Sequence, residues 1–176
     1  MTCVVLGLGS NKSFDGLSPS EILNRACSAL SELLHNAVFS SVYVTKPMYV
    51  EDQEYFHNMV CAGWYEGSAM ELLDRIHKIE ACYGRNRSLE VRYGCRSLDI
   101  DIELFGMEKI SSDVLTVPHE KILERSFVLT PFLEVLKKYA DIECEGCSIK
   151  DSLPFSKEYI KKQLDSLPFQ DVRLQK

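Results

Sequence analysis

The sequence of 176 residues predicts an α+β sandwich, in which helices pack on one face of an antiparallel sheet. Three observations lead to this prediction. Apolar and acidic residues alternate over residues 98–104, which is typical of a half-buried strand. Two S-x-x-E sequences, at 18–21 and 68–71, precede apolar residues at helical spacing and so predict helix starts. The resulting order is βαββαβ followed by further helices, and it leaves the second face of the sheet free to hold a site.

Each element has its own local signal. Residues 3–8 are a short apolar run, predicted as a buried strand. Pro19 suits the first position of the helix that Ser18 caps. β-Branched and aromatic residues predict strands over 38–45 and 55–65, and a glycine at position 84 is expected to end the second helix.

The last third of the chain gives weaker signals. Residues 117–136 are predicted to be mostly helical, with Pro118 at a helix start. A short helix is expected in the tail, between two copies of DSLPF that are too short to indicate a repeat. We expect a single domain over residues 1–155, and an extension over 156–176 that packs on that domain or trails from it.

Composition excludes several classes of protein. The net charge of −6 argues against a general nucleic-acid binder, and no apolar run approaches the roughly 20 residues that span a bilayer. The first residues do not resemble a signal peptide. Seven cysteines, an odd number, favour a reducing cytoplasm. Cys144 and Cys147 form a lone C-x-x-C, which we interpret as a surface turn because no further zinc ligands are near.

The alternating strand carries three acids on one face. Asp99, Asp101 and Glu103 would stand in a row while the aliphatic residues between them line the core. One interpretation is the solvated face of an edge strand. The other is a divalent-cation site, because Mg²⁺ prefers carboxylate oxygens and keeps water or phosphate as its remaining ligands.

An arginine cluster immediately before this strand favours the second interpretation. Arg85, Arg87, Arg92 and Arg96 lie within twelve residues of a chain that is acidic overall. An ordinary solvated loop would also explain them. Arginine, however, binds phosphate in bidentate fashion and stays charged, so arginines beside paired acids suit a metal–polyphosphate complex.

These residues also carry a resemblance to a known family. The segment RYGCRSLDIDIELFG (92–106) resembles the signature of the 6-hydroxymethyl-7,8-dihydropterin pyrophosphokinase family of folate biosynthesis. Other segments resemble further family motifs in the same order, over roughly residues 1–150: LGLGSN (6–11), SSVYVTKPM (40–48), DQEYFHNMV (52–60), IEACYGRNR (79–87) and LTVPHEKILERSFVLTPFLEV (115–135).

The resemblance implies a fold and a reaction. The fold is the ferredoxin-like α+β sandwich. The reaction transfers pyrophosphate from ATP to the hydroxymethyl group of the dihydropterin and releases AMP. Two Mg²⁺ ions would be held by Asp99 and Asp101, and Arg85 and Arg96 match the family's catalytic arginines. The expected partners are these small-molecule substrates, with no nucleic acid and no membrane, and the expected state is a cytoplasmic monomer.

The resemblance also implies binding residues. Those matched to ATP contacts, besides the two catalytic arginines, are Glu80, Arg87, Ile102, Thr116, His119 and Arg125. Those matched to pterin contacts are Thr45, Pro47, Met48, Phe56, Asn58 and Phe127, with the pterin stacked between the two phenylalanine rings. Without the resemblance, both phenylalanines are more typical of core residues, and His119 could simply cap or pack at a helix start.

Several positions depart from the family pattern. Glu103 replaces an aliphatic residue, and we interpret it as a solvated strand end or as a perturbation of the metal site. Cys95, Lys46 and His77 also differ from the usual residues. Two other hypotheses stay open from the residues themselves: another metal-dependent phosphotransferase or nuclease using the same acids, and a non-catalytic ferredoxin-like module that binds a small molecule.

Overall fold

The computed structural model describes residues 1–48, 52–86 and 94–175 of the protein. Its strands, in chain order, are β1 (Thr2–Ser10), β2 (His35–Phe39), β3 (Tyr43–Thr45), β4 (Phe56–Tyr65), β5 (Asp99–Phe105), β6 (Ile110–Ser111), β7 (Thr116–Val117), β8 (Glu143–Cys144), β9 (Cys147–Ser148) and β10 (Val172–Leu174). Its helices are α1 (Pro19–Leu33), α2 (Ala69–Cys82), α3 (Ser126–Lys138) and α4 (Lys157–Ser166), with a short 3₁₀ helix at Ile122–Glu124.

A single antiparallel sheet organises the described residues. Its strand order is β10-β3-β4-β1-β5, and β2 pairs with β4 farther along the same edge that β3 occupies. Every neighbouring pair in this sheet is antiparallel. The predicted class, α+β with helices packed on an antiparallel sheet, is therefore confirmed.

Helices cover both faces of the sheet rather than one. Alternate residues of β1 point to opposite sides, so that Val4 and Leu6 pack with α1 and α2, while Cys3 and Val5 pack with α3 and α4. The expectation of a free second face is wrong, because α3 presents its own apolar residues to that face, Phe132 and Val135 among them. The site must therefore lie where α3 leaves this face uncovered.

The two predicted helix starts are confirmed. Ser18 and Ser68 each accept a hydrogen bond from the backbone three residues later, and Glu21 and Glu71 bond back to the cap backbone. These capping boxes satisfy N–H groups that a helix would otherwise leave unpaired. The end of α2 near Gly84 is also as predicted, since this glycine adopts a φ of +79°.

A β-bulge breaks the alternation predicted for β5. Leu6 pairs with Ile102 while Val5 pairs with Leu104, so that Glu103 is the additional residue. Beyond the bulge, Leu104 packs with the α3 side of the core instead of joining Ile102 on the other side. The expectation that all the aliphatic residues of this strand share one face is wrong for Leu104.

Two further details differ from the sequence-based expectations. The strand predicted over 38–45 is interrupted at Ser40. Its N–H still donates to the carbonyl of Val60, but the N–H of Val60 bonds to the Ser40 hydroxyl instead of to a backbone carbonyl. Pro118 does not start a helix. It follows β7, and the next residue, His119, donates its N–H to the carbonyl of Glu103. The chain becomes helical only afterwards.

The C-terminal residues pack on the rest of the chain. Ile160 of α4 is fully buried with α3, and β10 pairs with β3, so that Val172 lies opposite Thr45. Cys144 and Cys147 lie opposite each other at a two-residue turn, as the surface-turn interpretation predicts. Within the described ranges, no helix combines the length and the apolar character that crossing a membrane requires.

We predict that the thiols differ sharply in reactivity. Cys82, Cys95 and Cys147 are exposed, whereas Cys3 and Cys61 are buried. Burial raises the pKa of Cys3 to about 12 and that of Cys61 well above its usual value, which suppresses the reactive thiolate. A thiol reagent should modify the three exposed cysteines first, and Cys3 and Cys61 only when the protein unfolds. Peptide mass spectrometry identifies the modified residues. Native labelling of Cys61 at its unfolded rate would contradict the packing.

Candidate active site

Two glycines of β1 lie between the strands that carry the predicted site residues. Gly9 pairs with Asn58 of β4 on one side and with Asp99 of β5 on the other, and Gly7 pairs in the same way with Val60 and Asp101. A Cβ on Gly9 would lie 3.0 Å from the Oδ1 atom of Asn58. A Cβ on Gly7 would lie 2.8 Å from Oε1 of Glu103, so a side chain at this position would force the buried carboxylate to shift.

A pocket of about 290 Å³ opens above these glycines. It brings together residues from β3, β4, β5, the segment after α2 and the start of α3. Most of the predicted site residues line it: Thr45, Met48, Phe56, Asn58, Arg85, Arg96, Asp99, Asp101, His119, Arg125 and Phe127.

Asp99 is held by two of the clustered arginines. Nη1 of Arg85 lies 3.0 Å from Oδ1 of Asp99, and Nη1 of Arg96 bonds to Oδ2. Arg85 also donates to the carbonyl of Leu98 at 3.0 Å. The arginine cluster and the acidic strand are therefore in direct contact, as their closeness in sequence indicates.

Asp101 lies beside Asp99 in an excess of negative charge. Burial and the neighbouring charge of Asp99 raise its pKa, and the opposing effects of Arg125 and Arg96 do not cancel this. Nη1 of Arg125 lies 3.6 Å from its Oδ2, which is ion-pair distance but too long for a good hydrogen bond. A cation would relieve the repulsion between the two carboxylates.

Glu103 is buried, so its interpretation as a solvated strand end is wrong. Its side chain is 1% exposed and lines the same pocket, on the face of β5 that also carries Asp101. Its Oε2 atom accepts no hydrogen bond from the described residues, and Nδ1 of His119 lies 4.0 Å from it. Burial, and secondarily Asp101, raise the pKa of this carboxyl.

His119 is fixed as a neutral donor. Its Nδ1 atom accepts the backbone N–H of Lys121 at 3.1 Å, which leaves the proton of the neutral ring on Nε2. Burial and the charge of Arg125 lower its pKa to about 4. At neutral pH this side chain can thus donate a hydrogen bond without carrying charge.

The aromatic and amide groups lie on the β3–β4 side of the pocket and at the start of α3. The guanidinium of Arg96 lies 5.8 Å from the centre of the Phe56 ring, and that of Arg125 lies 5.5 Å from the centre of the Phe127 ring. Asn58 is buried and donates to Oγ1 of Thr45 at 2.8 Å.

A second, more open cleft adjoins the pocket. Ile102 and Thr116 line it, and the two cavities share Asp101 and His119. The residues matched to ATP contacts are thus divided between the inner pocket, which holds the charges, and this cleft, which combines apolar and polar groups.

Two of the predicted site residues that the structure describes line neither cavity. The carboxylate of Glu80 is buried and accepts the backbone N–H of Ile100 at 2.8 Å, which ties α2 to β5. Pro47 lies beside the pocket but is not part of its lining. Arg87 falls outside the described residues. The ligand contacts expected of these residues stay predictions.

Asn11 is a site-organising residue that the sequence reasoning missed. Its Oδ1 accepts the N–H of Arg96 at 2.8 Å, and its Nδ2 donates to Oε1 of Gln53 and to the carbonyl of Glu54, each at 3.2 Å. The buried amide thus joins the two segments on either side of the pocket. A buried polar residue at the end of an apolar strand was the available signal.

Comparisons with known proteins agree with this arrangement. A family model described as 7,8-dihydro-6-hydroxymethylpterin-pyrophosphokinase matches residues 5–137. A 2-amino-4-hydroxy-6-hydroxymethyldihydropteridine pyrophosphokinase from Haemophilus influenzae is 38% identical over 137 residues, which are 77% of this chain and 82% of that protein.

Other relatives are longer proteins. A mitochondrial folate synthesis bifunctional protein from Pisum sativum is 41% identical over 103 residues, which cover 58% of this chain but only 20% of the plant protein. Among solved structures, the HPPK-DHPS of Plasmodium falciparum matches 93% of this chain and 43% of its own, with a TM-score of 0.57 and 14% identity, which supports the fold alone.

We predict that Glu103→Met stabilises the protein, and more so at alkaline pH. The raised pKa means that the folded state binds this proton more tightly than the unfolded state, so ionisation of Glu103 destabilises the fold as pH rises above the usual carboxyl value of 4.5. Removing the carboxyl should raise the free energy of unfolding by about 1–3 kcal/mol at about pH 8, and by less at about pH 5. Thermal melts of both proteins at the two pH values test this. A gain that is larger in acid would contradict it.

Proposed function

The chain belongs to the 7,8-dihydro-6-hydroxymethylpterin-pyrophosphokinase family, and we propose that it transfers pyrophosphate from ATP to the hydroxymethyl group of 6-hydroxymethyl-7,8-dihydropterin. The products are AMP and the pterin diphosphate, an intermediate of folate biosynthesis. One observation carries this proposal beyond family membership. A single pocket places the paired acids and three arginines against a buried amide and two phenylalanine rings.

The acid pair fits Mg²⁺. Asp99 and Asp101 occupy successive same-face positions of β5 and line one pocket, and burial together with the charge of Asp99 raises the pKa of Asp101. We propose that they hold two Mg²⁺ ions together with ATP oxygens. When bound, the ions supply neutralisation of the phosphate charge and orientation of the reacting oxygens.

The basic residues would bind the phosphates. Arg85 and Arg96 already reach the carboxylate that is expected to hold metal, so short side-chain movements bring their guanidinium groups to phosphate oxygens of the same complex. Arg125 enters from α3, beside Asp101. His119 supplies a neutral Nε2–H donor at the boundary with the second cleft, where Ile102 and Thr116 would contact the adenosine end of ATP.

The pterin would occupy the other end of the pocket. Phe56 and Phe127 offer ring faces for stacking on a flat heterocycle, and each face now has an arginine near it. Asn58 offers an amide that can both donate to and accept from the pterin edge, and Thr45 fixes its orientation. Met48 lines this end, and backbone contacts from Pro47 complete the proposed subsite.

The reaction is a substitution at the β-phosphorus of ATP. The hydroxymethyl oxygen of the pterin bonds to this phosphorus and loses its proton to solvent, the bond from the phosphorus to the oxygen bridging to the α-phosphate breaks, and AMP leaves. Because charge spreads over the transferred group, fixed positive groups around it lower the barrier. Arg85, Arg96 and Arg125 supply that charge from three segments of the chain, which hold it in position before the substrates bind.

Several broader properties belong to the same proposal. The order of β3, β4, β1 and β5, with α1 and α2 on one face, supports a ferredoxin-like core. All seven cysteines are free, which favours a reducing compartment such as the cytoplasm. We propose that the enzyme acts as a monomer on its two small-molecule substrates.

The direct test is AMP release from ATP, Mg²⁺ and 6-hydroxymethyl-7,8-dihydropterin. We expect AMP only when all three are present with the protein. Omission of the pterin separates the transfer from simple ATP hydrolysis, and addition of a chelator tests the need for metal. Folded protein that releases no pterin-dependent AMP would disprove the proposed function.

Asparagine substitutions should distinguish the contributions of the two acids to activity and to stability. We predict that Asp99→Asn and Asp101→Asn each lower kcat/KM by at least roughly 100-fold, because each removes a charged metal ligand. Only Asp99→Asn should lower the melting temperature, since Asp99 pairs with two arginines whereas Asp101 has an unfavourable, raised pKa. Asp165→Asn, at an exposed position of α4, is the control. Normal turnover by either site variant would refute the metal assignment.

The stacking role predicts a change that is specific to one substrate. Phe56→Leu and Phe127→Leu keep an apolar side chain but lose the ring, so the KM for the pterin should rise roughly three- to tenfold. The KM for ATP should change less. Steady-state kinetics with each substrate varied in turn measure both constants. An equal rise in the two KM values would indicate a general disturbance of the pocket instead of lost stacking.

A further inference from the structure

The first turn of α3 is held by a glutamine from the C-terminal segment, residues 167–175. Oε1 of Gln170 accepts the backbone N–H of Ser126 at 2.7 Å, and its Nε2 donates to the carbonyl of Glu124 at 2.9 Å. These two bonds bracket Arg125 in the chain. One side chain thus fixes the backbone on both sides of a residue that lines the active-site pocket.

The helix needs this contact because it lacks a cap of its own. Arg125 occupies the N-cap position of α3 and makes no side-chain cap hydrogen bond. Its guanidinium instead lies beside Asp101 and over the ring of Phe127. An N-cap Ser, Thr, Asp or Asn would accept a later N–H of the first turn; here the acceptor is Gln170, and it takes the first helical N–H, that of Ser126. Nearby, Nε2 of Gln163 donates to the carbonyl of Leu123 at 3.1 Å.

The same segment is also attached to the other substrate side of the pocket. Immediately after Gln170, the chain turns at Asp171, which has a φ of +47° and pairs with Arg173 at 2.6 and 2.9 Å. It then forms β10 on the edge of β3, with Val172 opposite Thr45. The segment therefore joins the start of α3 to the strand that supports Asn58.

Attachment of the segment itself does not depend on Gln170. Ile160 is fully buried against α3, the hydroxyl of Ser156 caps α4 at 3.1 Å, and the N–H of Gln175 bonds to the carbonyl of Val42 at 2.9 Å. Packing on both sides of Gln170 keeps it in place. Its paired hydrogen bonds are therefore available for a role in the site rather than in holding the tail.

We propose that Gln170 is a positioning residue for the transfer reaction, which sets the backbone of Arg125 and Phe127 so that the guanidinium and the ring meet the two substrates. The inference rests on the proposed function. It lies beyond the family match, which ends at residue 137. Because a guanidinium that is displaced by a fraction of an ångström loses bidentate phosphate contacts, the effect should appear in substrate binding.

The test substitutes Gln170→Met, which keeps the length of the side chain and removes both hydrogen bonds. We expect the dissociation constant for α,β-methylene ATP with Mg²⁺, measured by calorimetry, to rise roughly five- to tenfold. Both KM values in the transfer assay should rise with it, while kcat falls less. Gln175→Met is the matched control, since this glutamine lies in the same segment but bonds to Ser20, at 3.2 and 3.0 Å.

A double-mutant cycle with Arg125→Ala identifies the route of the effect. If Gln170 acts through Arg125, Gln170→Met should weaken analogue binding less than twofold when Arg125 is already absent. The same loss in both backgrounds would overturn the proposal. It would also be overturned if the Gln170→Met variant bound the analogue as tightly as the unchanged protein. A loss of equal size in Gln175→Met would also overturn it, because the effect would then belong to the tail in general.

A second variant covers failure to fold. Gln170→Glu keeps an acceptor for Ser126 N–H and places a carboxylate oxygen where the donor to the Glu124 carbonyl was. A two- to threefold loss of analogue binding is expected, and unchanged binding would overturn the proposal. Binding of the analogue requires no transfer. If the unchanged protein binds it but forms no pterin-dependent AMP, the proposed function fails, while the comparison of variants still decides the role of Gln170.

Discussion

The register between β1 and its two neighbours is the constraint on which the rest of the site depends. It places Gly9 between Asn58 and Asp99, and it places Gly7 beside Asp101. The amide and the acids therefore share one face of the sheet, and the two glycines between them place no side chain on that face. A shift of one residue would turn Leu8 into the pocket and a glycine into the core. The apolar residues that alternate with the glycines are fully or almost fully buried, and their burial against α1 and α2 fixes the register.

That register concentrates negative charge, and the arginines both balance it and perform the proposed chemistry. Arg85 and Arg96 share Asp99, Arg125 approaches Asp101, and two of these guanidinium groups also lie over aromatic rings. Binding of a metal–ATP complex would therefore exchange partners among charges that already exist, with metal replacing arginine at the acids and phosphate replacing acid at the arginines. Such an exchange requires little new desolvation, because most of these groups are already partly removed from water.

Features encoded by neighbouring residues could be predicted from the sequence, and features created by partner strands could not. The capping boxes at Ser18 and Ser68 are complete within four residues, so both helix starts were correct. The burial of Glu103 depends on partner segments, because Gly7 of β1 and His119 lie against its carboxylate, and the alternating pattern of β5 shows neither neighbour. The contact of Arg96 with Asp99 was indicated by their closeness in sequence. The placement of Asn58 in the same pocket was predicted only through the family resemblance, since strand order brings it there.

The start of α3 shows the same limit most clearly. A glutamine in a polar tail gives no local signal of a helix cap, and 44 residues separate Gln170 from Ser126. The arginine at the N-cap position does give a signal in retrospect, because a helix that begins at an active site with a residue that cannot cap it must obtain an acceptor from elsewhere. Using Arg125 for substrate contacts leaves the helix end dependent on another segment. In this protein the tail supplies that acceptor, and the geometry of the pocket therefore extends to residues that the family motifs do not include.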